Sequence, residues 1–240
     1  SVAVVLGGAV YLLRLPELQI REIRISGNNT LVAGDLEAAV AAKLSGEYLF
    51  LLPKRSIFLV SGGEIEEYLR LKFPKIKEVD AERKFPREIL VNLEEREFWG
   101  IFCSGPNEAR CVYIDETGFS YAGAPESSGS LLRKVKSDDL IGPEVGVSIL
   151  EKSRVELLDE LARRVEQTIG SGATGYYLFS ALPREIRLET NEGFQLFFET
   201  GGDWENTFQV LKRVFEEEIK DKRSKIEYVD LRFGNKVYYR

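Results

Sequence analysis

The chain has 240 residues, 44% hydrophobic and 30% charged, with a formal net charge of −6. This composition is globular, with room for one or two cores, and the absence of any basic run longer than two residues excludes a nucleic-acid binder built on a basic stretch. There is no His, which removes the Ser-His-Asp triad, the His metal ligand and the His acid–base pair.

There is also no Met, so the natural start is expected upstream. Val2 to Leu13 is uncharged and apolar on every face, and Arg14 and Pro16 follow it. As a helix it covers about 18 Å, against a hydrocarbon core of about 30 Å. Residues 1–15 are therefore expected to be the outer half of a transmembrane helix. A signal-peptide core is the other reading, but Arg14-Leu15-Pro16-Glu17 does not suit a cleavage site.

Within Leu18 to Ile25, Ile23 and Ile25 alternate with Glu22 and Arg24, the pattern of a half-buried strand. Ser26-Gly27-Asn28-Asn29-Thr30 is a turn cluster. Its glycosylation sequon says only that the loop is exposed. Leu36, Val40, Ala41 and Leu44 follow helical spacing from Asp35 to a stop at Gly46. Tyr48 to Leu52 is a short apolar run of undecided type. Gly62 to Lys72 is predicted as a helix, with Ser61 as N-cap and Glu64 completing a capping box. Its stripe is Ile65, Tyr68 and Leu69, and Phe73-Pro74 ends it. Ile76 to Arg83 and Glu88 to Glu95 are predicted strands joined by Lys84-Phe85-Pro86-Arg87. The order strand, helix, helix, strand, strand implies two helices on one face of a small sheet.

Cys103 and Cys111 flank the turn-rich segment Ser104 to Arg110. A loop-closing disulfide and a pair of unlinked thiols both fit. A metal site is disfavoured, because two ligands lack a His or a second Cys pair. A disulfide would require an oxidising compartment.

Val112 to Ile114 and Phe119 to Tyr121 flank Asp115-Glu116-Thr117-Gly118, a hairpin signal. Ala122 to Ser130 reads as a flexible loop, and Leu131 to Val135 as a strand. Val155, Leu158, Leu161, Val165 and Ile169 mark a long amphipathic helix stopped by Gly170. Strands are predicted at Tyr176 to Ser180, Glu185 to Glu189 and Phe194 to Glu199. Asp203 is expected to cap a helix from Trp204 to about Lys222 with the stripe Phe208, Leu211, Phe215 and Ile219. Ile226 to Phe233 and Lys236 to Arg240 are predicted strands around Gly234-Asn235.

Catalytic chemistry is missing. Gly118-Phe119-Ser120-Tyr121-Ala122 lacks the second glycine of a nucleophile elbow, so Ser120 is read as a strand residue. Gly201-Gly202-Asp203 is a turn plus cap, since Asp203 would repel an anion. Glu216, Glu217 and Glu218 read as a solvated face. No enzymatic activity, cofactor or metal is expected.

Ile23-x-Ile25-x-Gly27-Asn28, Phe73-Pro74-x-Ile76, Arg83-x-x-Pro86 and Glu95-Arg96 together resemble a POTRA domain. Val112 to Gly118 and Ile226-x-Tyr228-Val229-Asp230-Leu231-Arg232-Phe233 resemble the β domain of the FtsQ/DivIB family of bacterial cell-division proteins. The run Val229-Asp230-Leu231-Arg232 before an aromatic is the most specific match. Glu97-Phe98 departs from the family, which often has proline there.

The resemblance implies an α+β chain: a transmembrane helix remnant at 1–15, a POTRA domain at 16–97 and a mainly antiparallel mixed domain at 98–240. It implies a single-pass membrane scaffold, largely outside the cytoplasm at the division septum. Its partners would be FtsB-like and FtsL-like coiled-coil proteins and other divisome membrane proteins, within the complex controlling septal wall synthesis. A POTRA-type chaperone of outer-membrane assembly is the alternative.

The partner-binding residues are expected to be Arg232, Phe233, Lys236, Val237, Tyr238 and Tyr239. The last strand is expected to offer an open edge to an added strand. Tyr238 and Tyr239 should face opposite ways, one on the core and one as anchor. Arg232 and Lys236 should meet acidic residues of the partner. The resemblance points to the same end of the β domain as the FtsB site.

Overall fold

The structure, a computed structural model, describes residues 2–105, 110–125, 132–139, 141–234 and 236–240. The loop readings over 106–109 and 126–130, Leu131 of the strand reading and Asn235 of the last turn lie outside the described residues. The chain forms two compact units, 1–96 and 97–240.

The first unit begins with α1, Val2–Arg14. Among the described residues no helix is long and apolar enough to cross a membrane. There follow β1 (Glu22–Ser26), α2 (Ala33–Lys43), β2 (Glu47–Tyr48), β3 (Leu52–Pro53), α3 (Gly62–Lys72), β4 (Ile76–Lys84) and β5 (Glu88–Glu95). The undecided run at 48–52 is thus a small hairpin between the two helices. In the main sheet β5 is central, parallel to β1 and antiparallel to β4. Its alternating Ile89, Val91 and Leu93 are buried against Leu36 and Val40 of α2 and Ile65 and Leu69 of α3. Ser61 caps α3 by accepting a hydrogen bond from the Glu64 N–H at 3.4 Å.

The motif residues of this unit hold its turns. Gly27 has φ +83°, and a Cβ there would lie 1.9 Å from the Leu93 carbonyl oxygen, so only glycine fits. Asn28 donates to the Leu31 carbonyl at 2.9 Å, and Arg96 to that of Pro74 at 3.1 Å. Buried Glu95 accepts from the N–H groups of Asn29, Thr30 and Leu31 at 2.6, 2.9 and 2.9 Å, and from the Thr30 hydroxyl. Desolvation raises its pKa, but the bonds from Thr30, Leu31 and Asn29 outweigh burial and hold the carboxyl below its ordinary 4.5.

The second unit contains β6 (Gly100–Ser104), β7 (Arg110–Ile114), β8 (Ser120–Ala124), β9 (Lys134–Ser137), α4 (Lys152–Ile169), β10 (Ala173–Leu178), β11 (Glu185–Thr190), β12 (Gln195–Glu199), α5 (Trp204–Val214), β13 (Tyr228–Phe233) and β14 (Lys236–Tyr239). Among the described residues these strands make one sheet, ordered β14-β13-β12-β11-β10-β9-β6-β7-β8. Its pairings are mainly antiparallel, with parallel contacts at β12–β13, β9–β10 and β6–β9. The stripes of α4 (Leu158, Leu161, Val165) and α5 (Phe208, Leu211) share a core with Tyr176, Ile186, Leu196 and Val229 of the sheet.

Several elements differ from the sequence reading. β8 runs to Ala124, into the stretch read as a flexible loop, and β10 starts at Ala173 rather than Tyr176. β6 was not predicted: every residue in it is buried, so the period-two signal of a half-exposed strand is missing. β9 starts at Lys134 rather than Leu131. The helix from Trp204 leaves α geometry after Val214, passing through a π turn at Phe215–Ile219 and a 3₁₀ segment at Lys220–Lys225. Phe215 and Ile219 remain buried, and the apolar stripe ends there, so no packing holds the α register further.

Cys103 and Cys111 are directly opposite each other on β6 and β7 and are joined by a disulfide, Cα–Cα 4.2 Å.

Candidate partner-binding surface

Among the described residues β14 forms one edge of the large sheet and pairs antiparallel with β13 alone, in the register Asp230↔Tyr238 and Val229↔Tyr239. A register shift lies between Asp230 and Phe233. An edge strand of this kind carries backbone N–H and C=O groups directed away from the sheet.

The face of the sheet opposite the helices carries a row in register: Tyr177, Arg187, Phe197, Asp230 and Tyr238. The Arg187 guanidinium lies 4.6 Å from the Phe197 ring centroid and 4.5 Å from that of Phe179. Phe197 stacks on Tyr228 at 5.2 Å. These cation–π and stacked contacts align the face up to its edge.

Arg232 is bound within this network. It donates to both Asp230 carboxylate oxygens, at 2.8 and 2.6 Å, and to Glu185. Glu185 also accepts from Arg187 at 2.8 Å, and both carboxylates are buried. The Asp230 hydrogen bond, with the charges of Asp230 and Glu185, pushes the Arg232 guanidinium above its ordinary value despite burial. Arg232, expected to meet acids on a partner, already has acidic partners within this chain. Its charge is engaged by buried carboxylates of this chain, one of them brought from β11 by the fold.

The tyrosines also need correction. Neither packs in the core: Tyr238 is 53% exposed and Tyr239 46%. The core contact of β14 comes from half-buried Val237. Tyr239 stands opposite core residue Val229, yet it lies on an edge strand and stays half exposed. Lys236 is exposed. Exposed Phe233 meets Tyr238 edge-on at 5.5 Å.

Beside Phe233 and Arg232 lies a cleft of about 390 Å³ lined by Leu182, Pro183, Arg184 and Glu199. Leu182, Asp230 and Glu185 belong to this surface, although sequence reasoning did not select them. The Asp-x-Arg spacing of Asp230 and Arg232 was the available signal, since side chains two apart on a strand share a face.

Ser120, read as a strand residue, is buried in β8, and its hydroxyl donates to the carbonyls of Glu144 and Val147 at 2.6 and 2.9 Å. Among the described residues no group of three or more His, Cys, Asp or Glu is placed to hold a metal ion.

Residues 18–96 match the FtsQ-type POTRA domain family. The chain carries an FtsQ-type POTRA domain. It is also similar to a cell division protein FtsQ of Streptomyces bingchenggensis (strain BCW-1), at 24% identity over 150 residues, 62% of this chain. The chain spans about half, 52%, of that relative's length. Both comparisons bear out the resemblance to the FtsQ/DivIB family that the motifs carry. The POTRA match ends at Arg96, the last residue of the first unit.

Proposed function

We propose that this chain is a non-enzymatic scaffold of the bacterial divisome. It is held in the cell membrane by a helix that includes α1, with the bulk outside the cytoplasm at the septum. The FtsQ-type POTRA domain and the FtsQ relative support this reading. The second unit, 97–240, takes the role of the β domain. It binds FtsB-like and FtsL-like proteins and, with other divisome membrane proteins, helps control septal wall synthesis.

The observation that carries the binding role is edge strand β14, with exposed Phe233 and Tyr238 in contact and a cleft beside them. An extended segment of an FtsB-like partner adds to β14 through its backbone, and an apolar side chain enters the cleft near Leu182 and Phe233. Arg232 holds the strand end in shape rather than making the contact.

Capture of FtsB-like and FtsL-like proteins from the same genome by the membrane-extracted chain tests the reading. Tyr238→Ala and Phe233→Ala, each checked for folding, should reduce capture at least tenfold. Undiminished capture by both folded variants would place the partner elsewhere.

A further inference from the structure

The hairpin of β2 and β3 presents bulky apolar residues where a turn ordinarily carries Gly, Asn or Asp. Leu51 N–H donates to the Tyr48 carbonyl at 3.1 Å, closing a turn with Leu49 and Phe50 at its centre. Both have positive φ, 51° and 61°, the combination of a type I′ turn, which disfavours such side chains. They are nevertheless 83% and 92% exposed, and Leu51 is exposed as well. Among the described residues, the first unit's core cluster does not include them.

The hairpin is fastened to the apolar helix α1. Arg14, at the helix end, donates to the Leu51 carbonyl at 3.0 Å and pairs with Glu47 at 3.3 Å. Val4 and Tyr11 of α1 are exposed, so helix and tip form neighbouring apolar surfaces. Lys54 lies 5.3 Å from the Tyr48 ring centroid, at the neck of the hairpin. A second exposed aromatic pair, Phe58 and Phe85 at 6.3 Å, lies on adjoining segments. Backbone bonds from Ile57 to Leu18, Ile20 to Arg55 and Arg21 to Arg87, at 2.8–2.9 Å, gather these segments where the chain leaves α1. Apolar tips beside an apolar helix, with cations and a tyrosine at their base, form the arrangement of a segment seated in a membrane interface.

We propose that Leu49-Phe50-Leu51 inserts into the bilayer beside α1, with Arg14 and Lys54 at the level of the lipid headgroups. The hairpin thereby acts as a second anchor that holds the POTRA domain against the membrane. The proposal rests on the reading of α1 as membrane-seated, and the test separates the two.

Phe50→Trp and Tyr11→Trp are made separately in the full chain. Each is reconstituted into phosphatidylcholine–phosphatidylglycerol vesicles, with and without brominated acyl chains. Emission of the parent chain, from Trp99 and Trp204, is subtracted. The Phe50→Trp signal should shift to shorter wavelength and lose intensity with brominated lipid. A solvent-like, unquenched signal overturns the proposal, whether the tip meets water or a protein. If Tyr11→Trp alone is quenched, the helix reading stands and the hairpin proposal falls; if Phe50→Trp alone is quenched, the helix reading falls and with it the second anchor beside α1. If neither is quenched, both fall.

Discussion

Arg232 and Asp230 close on each other from one strand, Nε to Oδ1 at 2.8 Å and Nη2 to Oδ2 at 2.6 Å. Glu185, 47 residues away in sequence, takes the remaining face of the guanidinium. The charged motif on β13 is therefore a brace between β13 and β11. This brace separates the residues that shape the edge from those available to a partner.

Arg232→Met removes the guanidinium, which lies 5.5 Å from the Phe197 ring centroid, and leaves two buried carboxylates short of their cation. The partial exposure of Arg232 and the continued contact of Arg187 with Glu185 limit the loss. The expected destabilisation is about 1–3 kcal/mol in urea unfolding. Tyr238→Ala, at an exposed position, should stay within about 0.5 kcal/mol of the parent. Equal losses in the two variants would contradict the division between brace and contact.

Glu95 makes the POTRA unit acid-sensitive. Its folded pKa lies below its ordinary 4.5, so its contribution is fully present above the unfolded value and is lost as pH falls through the folded one. Unfolding free energy should decline as pH drops below about 5. Glu95→Gln should lose about 1–2 kcal/mol at neutral pH and show a shallower acid decline. A parallel pH profile in the variant would mean that another group sets the slope.

Gly27→Ala forces a Cβ onto the Leu93 carbonyl and a side chain into a left-handed backbone. Strain of this kind costs about 1–3 kcal/mol before the steric overlap is counted, so a clear drop in the melting temperature is expected. An unchanged melt would show that the turn is loose in solution.

The disulfide between β6 and β7 should appear as linked peptides in non-reducing mass spectrometry. In the chain-entropy account, closing a loop this short is worth roughly 2–3 kcal/mol. Melting with dithiothreitol should show a corresponding loss of stability. Two alkylatable thiols in the membrane-extracted chain would contradict the linkage.

Legibility followed the range of each interaction. α3 was readable to its ends because Ser61 and Glu64 are three residues apart and act locally. The stripe of α4 was readable because one face is buried. β6 hid because burial on both sides erases alternation. At the edge, alternation placed Tyr238 and Tyr239 on opposite faces, but the exposure of both could not be read from five residues. The engagement of Arg232 depended on Glu185, which only the sheet order brings near. The exposed tip of Leu49 and Phe50 was equally hidden, since an apolar run in sequence does not say whether it faces core or surface.

Amide hydrogen–deuterium exchange of the full chain, alone and with an FtsB-like partner, tests most directly whether β14 receives the added strand. The account predicts slowed exchange at Lys236–Tyr239, with the opposite edge at Ser120–Ala124 unchanged. Protection at that opposite edge or within 18–96, with Lys236–Tyr239 exchanging as in the chain alone, would contradict it.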